Sequence, residues 1–289
     1  MTSLKWFIPL IFSLPVAAQA CTLWGATGSA SADGTLLAKN RDWVPDHIQT
    51  VRLVHPDSGL SYVGLFAAGH APGLKEGVNS AGLSVVSASA SSLPRAERKS
   101  GQGHHLLKNL LTHYHSLDEV ATDAASLFSS QRPAFLILAD AHGLMRVEIG
   151  LNGHYSVTRT TEGTLAQTNH YLDNEAIGPY AQKPGASSRT RYNRVQTLLA
   201  GHPGPHTLEE FAQISADHQD GPDNSLQRNG REYTLSSWRI ALPAFGPPQL
   251  QLTLFGVHSD PVSNAWRLDA NFWDQPAGVL AGGDKNPVI

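Results

Sequence analysis

The chain's one cysteine, Cys21, follows a segment with the pattern of a secretory signal peptide. Lys5 supplies the leading positive charge, residues 6–16 are mainly apolar, and Ala18-Gln19-Ala20 fits a signal-peptidase site. Cleavage after Ala20 would give Cys21 a free α-amine beside its thiol, which places a base and a nucleophile in one residue. We therefore expect residues 1–20 to be a cleaved signal peptide and Cys21 to attack a carbonyl carbon.

The same cysteine fits a second interpretation, in which it carries lipid. Many bacterial lipoproteins begin, after processing, with a cysteine that anchors them to a membrane. Their usual signal has leucine three residues before the cysteine and a small residue two before, whereas this chain has Ala18 and Gln19 there. The polar Gln19 fits that signal poorly. A Cys21-lipidated binding protein without catalysis is the alternative hypothesis.

Composition favours one exported globular domain. Removal of residues 1–20 leaves 289 − 20 = 269 residues, a length that one large core can accommodate. The content of 41% hydrophobic and 16% charged residues is typical of a globular chain, and a net charge of −3 provides no basic surface for nucleic acid. No later apolar run is long enough to span a bilayer. Because a lone cysteine forms no internal disulfide, we expect residues 21–289 to fold as a single domain in the periplasm without one.

Histidine is abundant, with 14 residues, and His104-His105 and His113-Tyr114-His115 invite a metal interpretation. Neither cluster has the HExxH spacing, and no acidic or thiol cluster accompanies them. The sequence also contains no Gly-rich phosphate loop. We expect no metal and no organic cofactor.

Elements that could position these residues follow from the hydrophobic pattern. Short β-branched segments bounded by Gly, Pro, Asp and Ser predict strands over residues 22–27, 35–40, 50–54, 62–66, 83–88, 135–139, 145–149, 155–159, 164–168, 234–241 and 250–256. Helical periodicity predicts helices over residues 104–112, 117–129, 188–200 and 207–215, with Ser116 as the N-cap of the second. The polar residues 90–103 predict a loop, either a lid or an ordinary surface excursion. This order of elements indicates an α+β fold with two packed sheets covered by helices.

Five short motifs follow one another along the chain: Cys21-Thr22, Lys39-Asn40-Arg41-Asp42-Trp43, Asn79-Ser80-Ala81-Gly82-Leu83, Thr168-Asn169 and Ser188-Arg189-Thr190-Arg191. Their order resembles the choloylglycine hydrolase, penicillin V acylase and isopenicillin N acyltransferase group of N-terminal nucleophile (Ntn) hydrolases. The resemblance extends through most of the mature chain. It implies the αββα sandwich of that group, in which two antiparallel sheets lie between helical layers.

The resemblance also implies roles for the residues of the first two motifs. Cys21 Sγ would form a thioester with the acyl group, and its α-amine, with a reference pKa of about 7.7–8.0, would be the base. Asp42 would hydrogen-bond the amine or thiol of Cys21. Lys39 stands where the group usually has arginine near the sulfur, so it keeps the charge but lacks the planar fork. We expect the neighbouring Arg41 to face solvent.

Two asparagines match the positions that form the oxyanion hole in the group. Asn79 would offer its backbone N–H, and Asn169 its side-chain amide. One of three arginines at the start of the following helix is expected to support the site. We prefer Arg191 to Arg189 and Arg194 for this role.

The reaction implied by the resemblance is hydrolysis of a linear, non-peptide amide with an apolar acyl group. Candidate substrates include penicillin V, conjugated bile acids and N-acyl homoserine lactones. Transfer of the acyl group to an amine uses the same residues, so the sequence leaves hydrolysis and transfer open. The expected partner is a small acyl amide, without nucleic acid, without membrane contact after cleavage, and with a homo-oligomer left open. Four aromatic residues lie near motif positions and are expected to line the acyl pocket: Trp24, Phe66, Phe135 and Tyr171.

Overall fold

A computed structural model describes residues 20–282 of the chain, except residues 46, 70, 71, 102, 104, 203, 257 and 258. The expected signal peptide therefore lies outside the described residues, apart from Ala20, and so does His104 of the first histidine cluster. In the described part of the chain, no helix has the length and apolar character needed to cross a membrane.

Strands dominate the described chain. In chain order they are β1 (Cys21–Thr27), β2 (Thr35–Trp43), β3 (Gln49–Val54), β4 (Tyr62–Ala67), β5 (Gly73–Asn79), β6 (Ser84–Ser89), β7 (Ala134–Asp140), β8 (Gly143–Ile149), β9 (Tyr155–Thr160), β10 (Gly163–Gln167), β11 (Tyr233–Leu242), β12 (Gln249–Leu254), β13 (Val262–Arg267) and β14 (Gly278–Gly282). Sheet I has the order β10-β1-β2-β11-β12-β13, and sheet II has the order β14-β3-β4-β5-β6-β7-β8-β9. Neighbouring strands pair antiparallel throughout both sheets.

Helices connect the strand blocks. They are α1 (Leu106–His113), α2 (Leu117–Thr122), α3 (Ala124–Phe128), α4 (Asn174–Ile177), α5 (Ala186–Ala200), α6 (Leu208–Ser215) and α7 (Ala270–Trp273). Ser116 caps α2 as predicted, because its side chain accepts a hydrogen bond from the backbone N–H of Glu119. The single helix predicted over residues 117–129 is instead two helices, α2 and α3. The chain breaks at Asp123, whose backbone leaves the helical region at φ −96° and ψ 8°.

Strand alternation divides the apolar side chains into three clusters, which define the layers of the fold. The largest cluster lies between the sheets and contains Leu23 and Leu37 of sheet I with Val63 and Ile137 of sheet II. A second cluster packs sheet II against α1, α2 and α3. The third packs the outer face of sheet I against α5 and α6. The predicted αββα sandwich is confirmed.

The pattern missed β5, β13 and β14, and each lacks an apolar alternation. β5 carries Lys75 and Glu76, and the buried Glu76 is satisfied there by an ion pair rather than by water. β13 and β14 are largely exposed strands, so few of their side chains needed to be apolar. The predicted strands and the α1, α5 and α6 helices are present with ends shifted by a few residues.

Candidate active site

The two adjacent strands β1 and β2 bring Cys21 beside two cations. Cys21 pairs directly with Arg41, and Leu23 pairs with Lys39, so Cys21, Lys39 and Arg41 point from the same face of sheet I. That face is the one covered by sheet II. Cys21 is 6% exposed and lies on the wall of a cavity of about 460 Å³. The thiol is therefore shielded by protein but open to a small molecule.

The backbone of Cys21 is held by Asn169 and Arg191. The nitrogen of Cys21 donates to Asn169 Oδ1 at 3.0 Å, and Arg191 donates to Cys21 O at 2.8 Å. Arg191 also donates to Thr22 Oγ1 at 2.8 Å and to Asn169 Oδ1 at 2.9 Å. In the described chain this nitrogen is a peptide nitrogen bonded to Ala20, and it stands for the α-amine that removal of Ala20 would create. One guanidinium thus fixes both the nucleophile's carbonyl and the amide that orients its nitrogen.

Asn169 is positioned by hydrogen bonds from both its backbone and its side chain. Its backbone N–H donates to Ser188 Oγ at 3.0 Å, at the start of α5, and its side-chain Nδ2 donates to Ser89 O at 3.0 Å. Ser188 Oγ also contacts His170 Nδ1 at 2.8 Å. Asn169 therefore joins β6, α5 and Cys21 at one point.

Asp42 lies on the opposite face of β2 from Lys39 and Arg41. Its Oδ1 accepts from Thr234 Oγ1 at 2.7 Å, and Arg228 lies 3.7 Å from its Oδ2. Burial raises the pKa of the Asp42 carboxyl, and the charges of Arg191 and Arg228 oppose that rise. Among the described residues, Asp42 Oδ2 has no hydrogen-bond donor. The backbone N–H of Asp42 donates to Ala20 O at 3.1 Å, so Asp42 adjoins the scissile position from the sequence prediction.

Lys39 is a buried cation, 1% exposed, with a buried counter-ion. Its Nζ lies 2.5 Å from Glu76 Oε2 and donates to Lys75 O at 3.1 Å. Burial raises the pKa of the Cys21 thiol, while the positive charge of Lys39 opposes that rise. Because burial is the larger effect, the thiol keeps its proton near neutral pH and needs a base to remove it.

The prediction that Arg41 faces solvent is wrong. Because β2 continues to Trp43, strand alternation turns Arg41 inward beside Lys39, where only 3% of it is exposed. Its guanidinium donates to Gln49 Oε1 at 2.7 Å and contacts His47 Nδ1. The neighbouring Asn40 turns to the outer face and contacts α6 instead.

The structure gives Asn79 a different environment from the one expected for an oxyanion-hole residue. Its backbone N–H donates to Leu83 O at 3.0 Å, and its side-chain Nδ2 donates to Leu111 O and Tyr114 O. Gly82, with φ of +87°, closes the turn that this asparagine organises. Asn79 therefore ties the β5–β6 turn to the end of α1, and we do not carry it into the site.

The four aromatic residues expected in the acyl pocket lie elsewhere. Trp24 packs on Phe211 of α6, with ring centroids 5.9 Å apart, on the outer face of sheet I. Phe66 packs against the cluster that joins sheet II to its helices. Phe135 and Tyr171 stack edge to face at 4.8 Å in the core between the sheets. The expectation that these residues line the pocket is wrong, because the strand faces that carry them point into the packed core.

Of the three candidate arginines, the structure brings Arg191 alone to Cys21. Arg191 is 1% exposed, whereas Arg189 donates to Pro184 O in an exposed position. Arg194 pairs with Asp217 at 2.5 Å. The helical spacing explains this difference, since Arg191 lies on the face of α5 that packs against sheet I.

The cavity beside Cys21 has an apolar floor and a basic wall. Its apolar part comes from small and aliphatic residues of β5, β6, β7 and α1: Leu74, Ala88, Ala90, Leu106, Leu107, Pro133, Ala134 and Leu136. Eight cationic residues also line it, and Asp42 is the one acidic residue among its lining residues: Lys39, Arg41, Lys75, Arg95, Arg98, Lys99, Lys108 and Arg132 are the cations. Three of these cations belong to the polar loop 90–103, which therefore forms part of the cavity wall.

Several residues of the site were missed by sequence reasoning. Ser89 reaches it from the end of β6, and Glu76 reaches it from the unpredicted β5. Arg228 approaches Asp42 and pairs with Glu232, four residues later. The opposite charges of Arg228 and Glu232 at this spacing were the one sequence feature that could have indicated an ion pair here. Nothing in the sequence distinguishes Ser89 from other serines. A separate group of potential metal ligands, His202, His206 and Glu210, lies at the α5–α6 connection.

Comparison with known proteins identifies the family. Residues 29–254 match the family described as acyl-coenzyme A:6-aminopenicillanic acid acyl-transferase. The chain is 31% identical over 150 residues to the 40 kDa form of that acyltransferase from Emericella nidulans, an alignment covering 51% of this chain and 40% of that protein. The chain thus spans less than half of that relative's length.

Two solved structures share the fold. A mutant of conjugated bile acid hydrolase from Clostridium perfringens superposes with a TM-score of 0.55 at 12% identity, covering 90% of this chain and 96% of the other. Penicillin V acylase from Agrobacterium tumefaciens gives a TM-score of 0.52 at 15% identity, covering 87% and 89%. The matched residues lead to one assignment: the chain belongs to the acyl-coenzyme A:6-aminopenicillanic acid acyl-transferase family.

Proposed function

We propose that this protein cleaves a linear amide through a thioester on Cys21, after removal of residues 1–20. The observation that carries the proposal is the position of the Cys21 nitrogen. It is held at 3.0 Å from Asn169 Oδ1, which Arg191 also binds, while the thiol of the same residue faces a cavity. A structural cysteine would need neither the orientation of its nitrogen nor the open space.

The reaction begins with attack of Cys21 Sγ on the amide carbonyl, as its proton passes to the Cys21 α-amine. The C–S bond forms, and the carbonyl oxygen becomes an oxyanion, to which we assign the side-chain amide of Asn169 as a donor. Collapse breaks the C–N bond, and the α-amine returns the proton to the departing amine. Water then attacks the thioester, the C–S bond breaks, and the carboxylic acid leaves with the thiol restored.

Removal of Ala20 changes the hydrogen bonding around the new α-amine. The freed nitrogen gains N–H groups that the peptide nitrogen lacks, and Asp42 Oδ2 is a buried acceptor without a donor among the described residues. We assign this oxygen as an acceptor for the new α-amino group, in addition to Asn169 Oδ1. Export through a secretory route accounts for the cleavage, and it places the mature protein outside the cytoplasm.

The basic wall indicates the chemistry of the substrate. Eight cationic residues line the cavity, and the apolar floor lies beside them. An acyl amide that combines an apolar acyl group with a carboxylate or another anionic group would satisfy both surfaces. Lys39 is already paired with Glu76, so Lys75 of β5 and the cations of the loop and α1 are the ones that we assign to such an anion.

Acyl transfer is the second candidate, because the matched family and the curated relative are both described as acyltransferases. The same thioester serves either reaction. The acceptor that resolves it decides between them, since water yields an acid and an amine yields a new amide.

The test is the intact mass of the mature protein from its export route, before and after exposure to acyl amides with and without an anionic group. We expect a mass that begins at unmodified Cys21 and a transient acyl addition that Cys21→Ala abolishes. Product analysis with and without an added amine acceptor then separates hydrolysis from transfer. A lipid increment on Cys21, or turnover that survives Cys21→Ala, would refute the proposed mechanism.

A further inference from the structure

A compact group of three potential metal ligands lies between the end of α5 and the first turns of α6. His202 follows α5, His206 precedes the N-cap Thr207, and Glu210 lies four residues later, in the capping box of α6. One donor atom from each of His202, His206 and Glu210 lies within 4.8 Å of the others. Two imidazoles and one carboxylate form a ligand set that proteins use for zinc.

Each histidine has its second ring nitrogen engaged by a backbone carbonyl. His206 Nε2 donates to Leu199 O at 3.2 Å, and His202 Nδ1 donates to Gly204 O at 2.9 Å. A carbonyl can only accept, so the remaining nitrogen of the His206 ring, Nδ1, carries the lone pair and faces the group. Such contacts orient histidines as metal ligands. His202 Nε2 contacts Glu210 Oε1, and a metal ion would take the place of the proton between these two atoms.

His206 Nδ1 is a buried nitrogen in need of a partner. The residue is 3% exposed, and this atom has no hydrogen-bond partner among the described residues. The nearest Glu210 oxygen, Oε2, lies 3.9 Å away and already accepts from the backbone N–H of Thr207 at 2.9 Å. An unpartnered buried lone pair costs free energy, and a metal ion placed between His206 and Glu210 would remove that cost.

We propose that His202, His206 and Glu210 form a binding site for a divalent metal ion of the zinc type, with water at the fourth position. Zinc lies about 2.0–2.2 Å from nitrogen and oxygen ligands, so the three donors must draw together from their present spread. His202 and Glu210 are 30% and 24% exposed, so their side chains have room to rotate and the ion has a path from solvent. His206, in the buried position, is the fixed ligand.

The site would act on the fold and not on the reaction. The backbone of His206 pairs with the loop after β1, where Ala32 N–H donates to His206 O and His206 N–H donates to Ala30 O. A metal bound here joins the end of α5, the start of α6 and that loop. Since α5 carries Arg191, the same ion would stabilise the helix that holds Cys21.

Calorimetric titration of untagged mature protein with zinc chloride tests the proposal, in a Cys21→Ala background. That background is needed because an N-terminal cysteine, with its amine and thiol, would itself chelate zinc. We expect one ion per chain and an increase in Tm on saturation. His202→Gln and Glu210→Gln should each weaken binding by more than about 100-fold, which exceeds the usual effect of an outer-shell partner. Cobalt(II) in place of zinc should give visible absorption of a four- or five-coordinate ion.

His115→Gln is the matched control, since His115 and Glu119 form an exposed pair at the same i,i+4 spacing outside the proposed site. It should leave affinity and stoichiometry unchanged. Circular dichroism of each variant before titration separates loss of a ligand from loss of the fold. The proposal fails if folded His202→Gln binds as tightly as its parent, if the parent takes up no ion, or if His115→Gln removes the binding.

Discussion

At the scale of single residues, the site depends on one amide and one guanidinium. Asn169 Oδ1 accepts from both the Cys21 nitrogen and Arg191, while Asn169 Nδ2 faces Ser89 O. In the proposed mechanism the oxygen end of this side chain orients the Cys21 nitrogen, and the nitrogen end is assigned to the developing oxyanion. Charge-assisted hydrogen bonds from a rigid planar fork make Arg191 a stronger support than lysine would be.

Replacement of Asn169 by Ala should lower kcat by about 10²–10³-fold, the usual cost of losing one oxyanion donor. Steady-state kinetics on an accepted acyl amide measures the effect. Asn79→Ala is the matched control, because Asn79 makes its contacts with the β5–β6 turn and α1. It should reduce stability and leave kcat near the wild-type value. Equal losses of kcat in both folded variants would contradict this division of roles.

Sequence motifs identified Cys21, Asn169 and Arg191 because each combines a chemically specific residue type with a position in an ordered series. Asn79 satisfied the same criterion and still lies outside the site. The residue that reaches Asn169 from this region is Ser89, and it does so through its backbone carbonyl. A contact made by a main-chain atom leaves no trace in residue type, so sequence reasoning could not find it.

At the scale of elements, β2 shows how a strand serves two chemical environments. Alternation sends Lys39 and Arg41 to the cavity and turns Asn40 and Asp42 to the outer face. Asn40 Nδ2 donates to Ser215 O and to the carbonyl of Leu226, each at 2.8 Å. Asn40, in the motif Lys39-Asn40-Arg41-Asp42-Trp43, is thus a structural residue that connects the end of α6 to sheet I.

Asn40→Ala should destabilise the fold by about 3 kcal/mol, because two buried carbonyls lose their donor and Ser215 Oγ loses one of its two acceptors. Urea unfolding monitored by circular dichroism measures the change in free energy. Asn193→Ala, at an exposed position of α5, is the control and should stay within about 0.5 kcal/mol of wild type. A similar small change for Asn40→Ala would show that water replaces the lost contacts.

The predicted elements were those whose apolar side chains alternate or recur on a helical face. β5 escaped prediction because its inward position is held by the Glu76–Lys39 ion pair, which links two sheets and has no local signal. The sequence analysis also missed the possible metal ligands of the α5–α6 connection, because they too leave no local signal in the sequence. His202, His206 and Glu210 read as a loop followed by a cap, and only the turn from α5 into α6 brings their donor atoms together.

At the scale of the whole molecule, positive charge is concentrated around one cavity although the net charge of the chain is negative. The chain carries a net charge of −3, yet cations from β2, β5, α1 and the loop 90–103 converge on one cavity. The composition excluded a basic protein, and it could not reveal that separate elements collect their cations at one place. Such a field attracts an anionic substrate from solution, and it also acts on the cations themselves.

Lys75 shows the second effect, and it gives the cavity a pH dependence. Burial and the repulsion of Arg41 and Lys39 lower the pKa of Lys75 to about 8. Because the folded pKa lies below the usual lysine value of 10.5, the unfolded chain binds more protons between these two values, so this group makes stability rise with pH there. As pH rises through about 8, Lys75 loses its proton and the cavity loses one positive charge.

The KM of an anionic acyl amide should therefore increase about fivefold as pH rises through 8, the equivalent of ~1 kcal/mol for one partly exposed charge. The Cys21 α-amine titrates close to this range and alters kcat for every substrate. The ratio of KM for the anionic amide to KM for its neutral methyl ester removes that common effect. In Lys75→Met the ratio should be larger at low pH and flat between about pH 7 and pH 9. A ratio that is flat in the wild-type protein, or that still changes in Lys75→Met, would show that another group controls recognition of the anion.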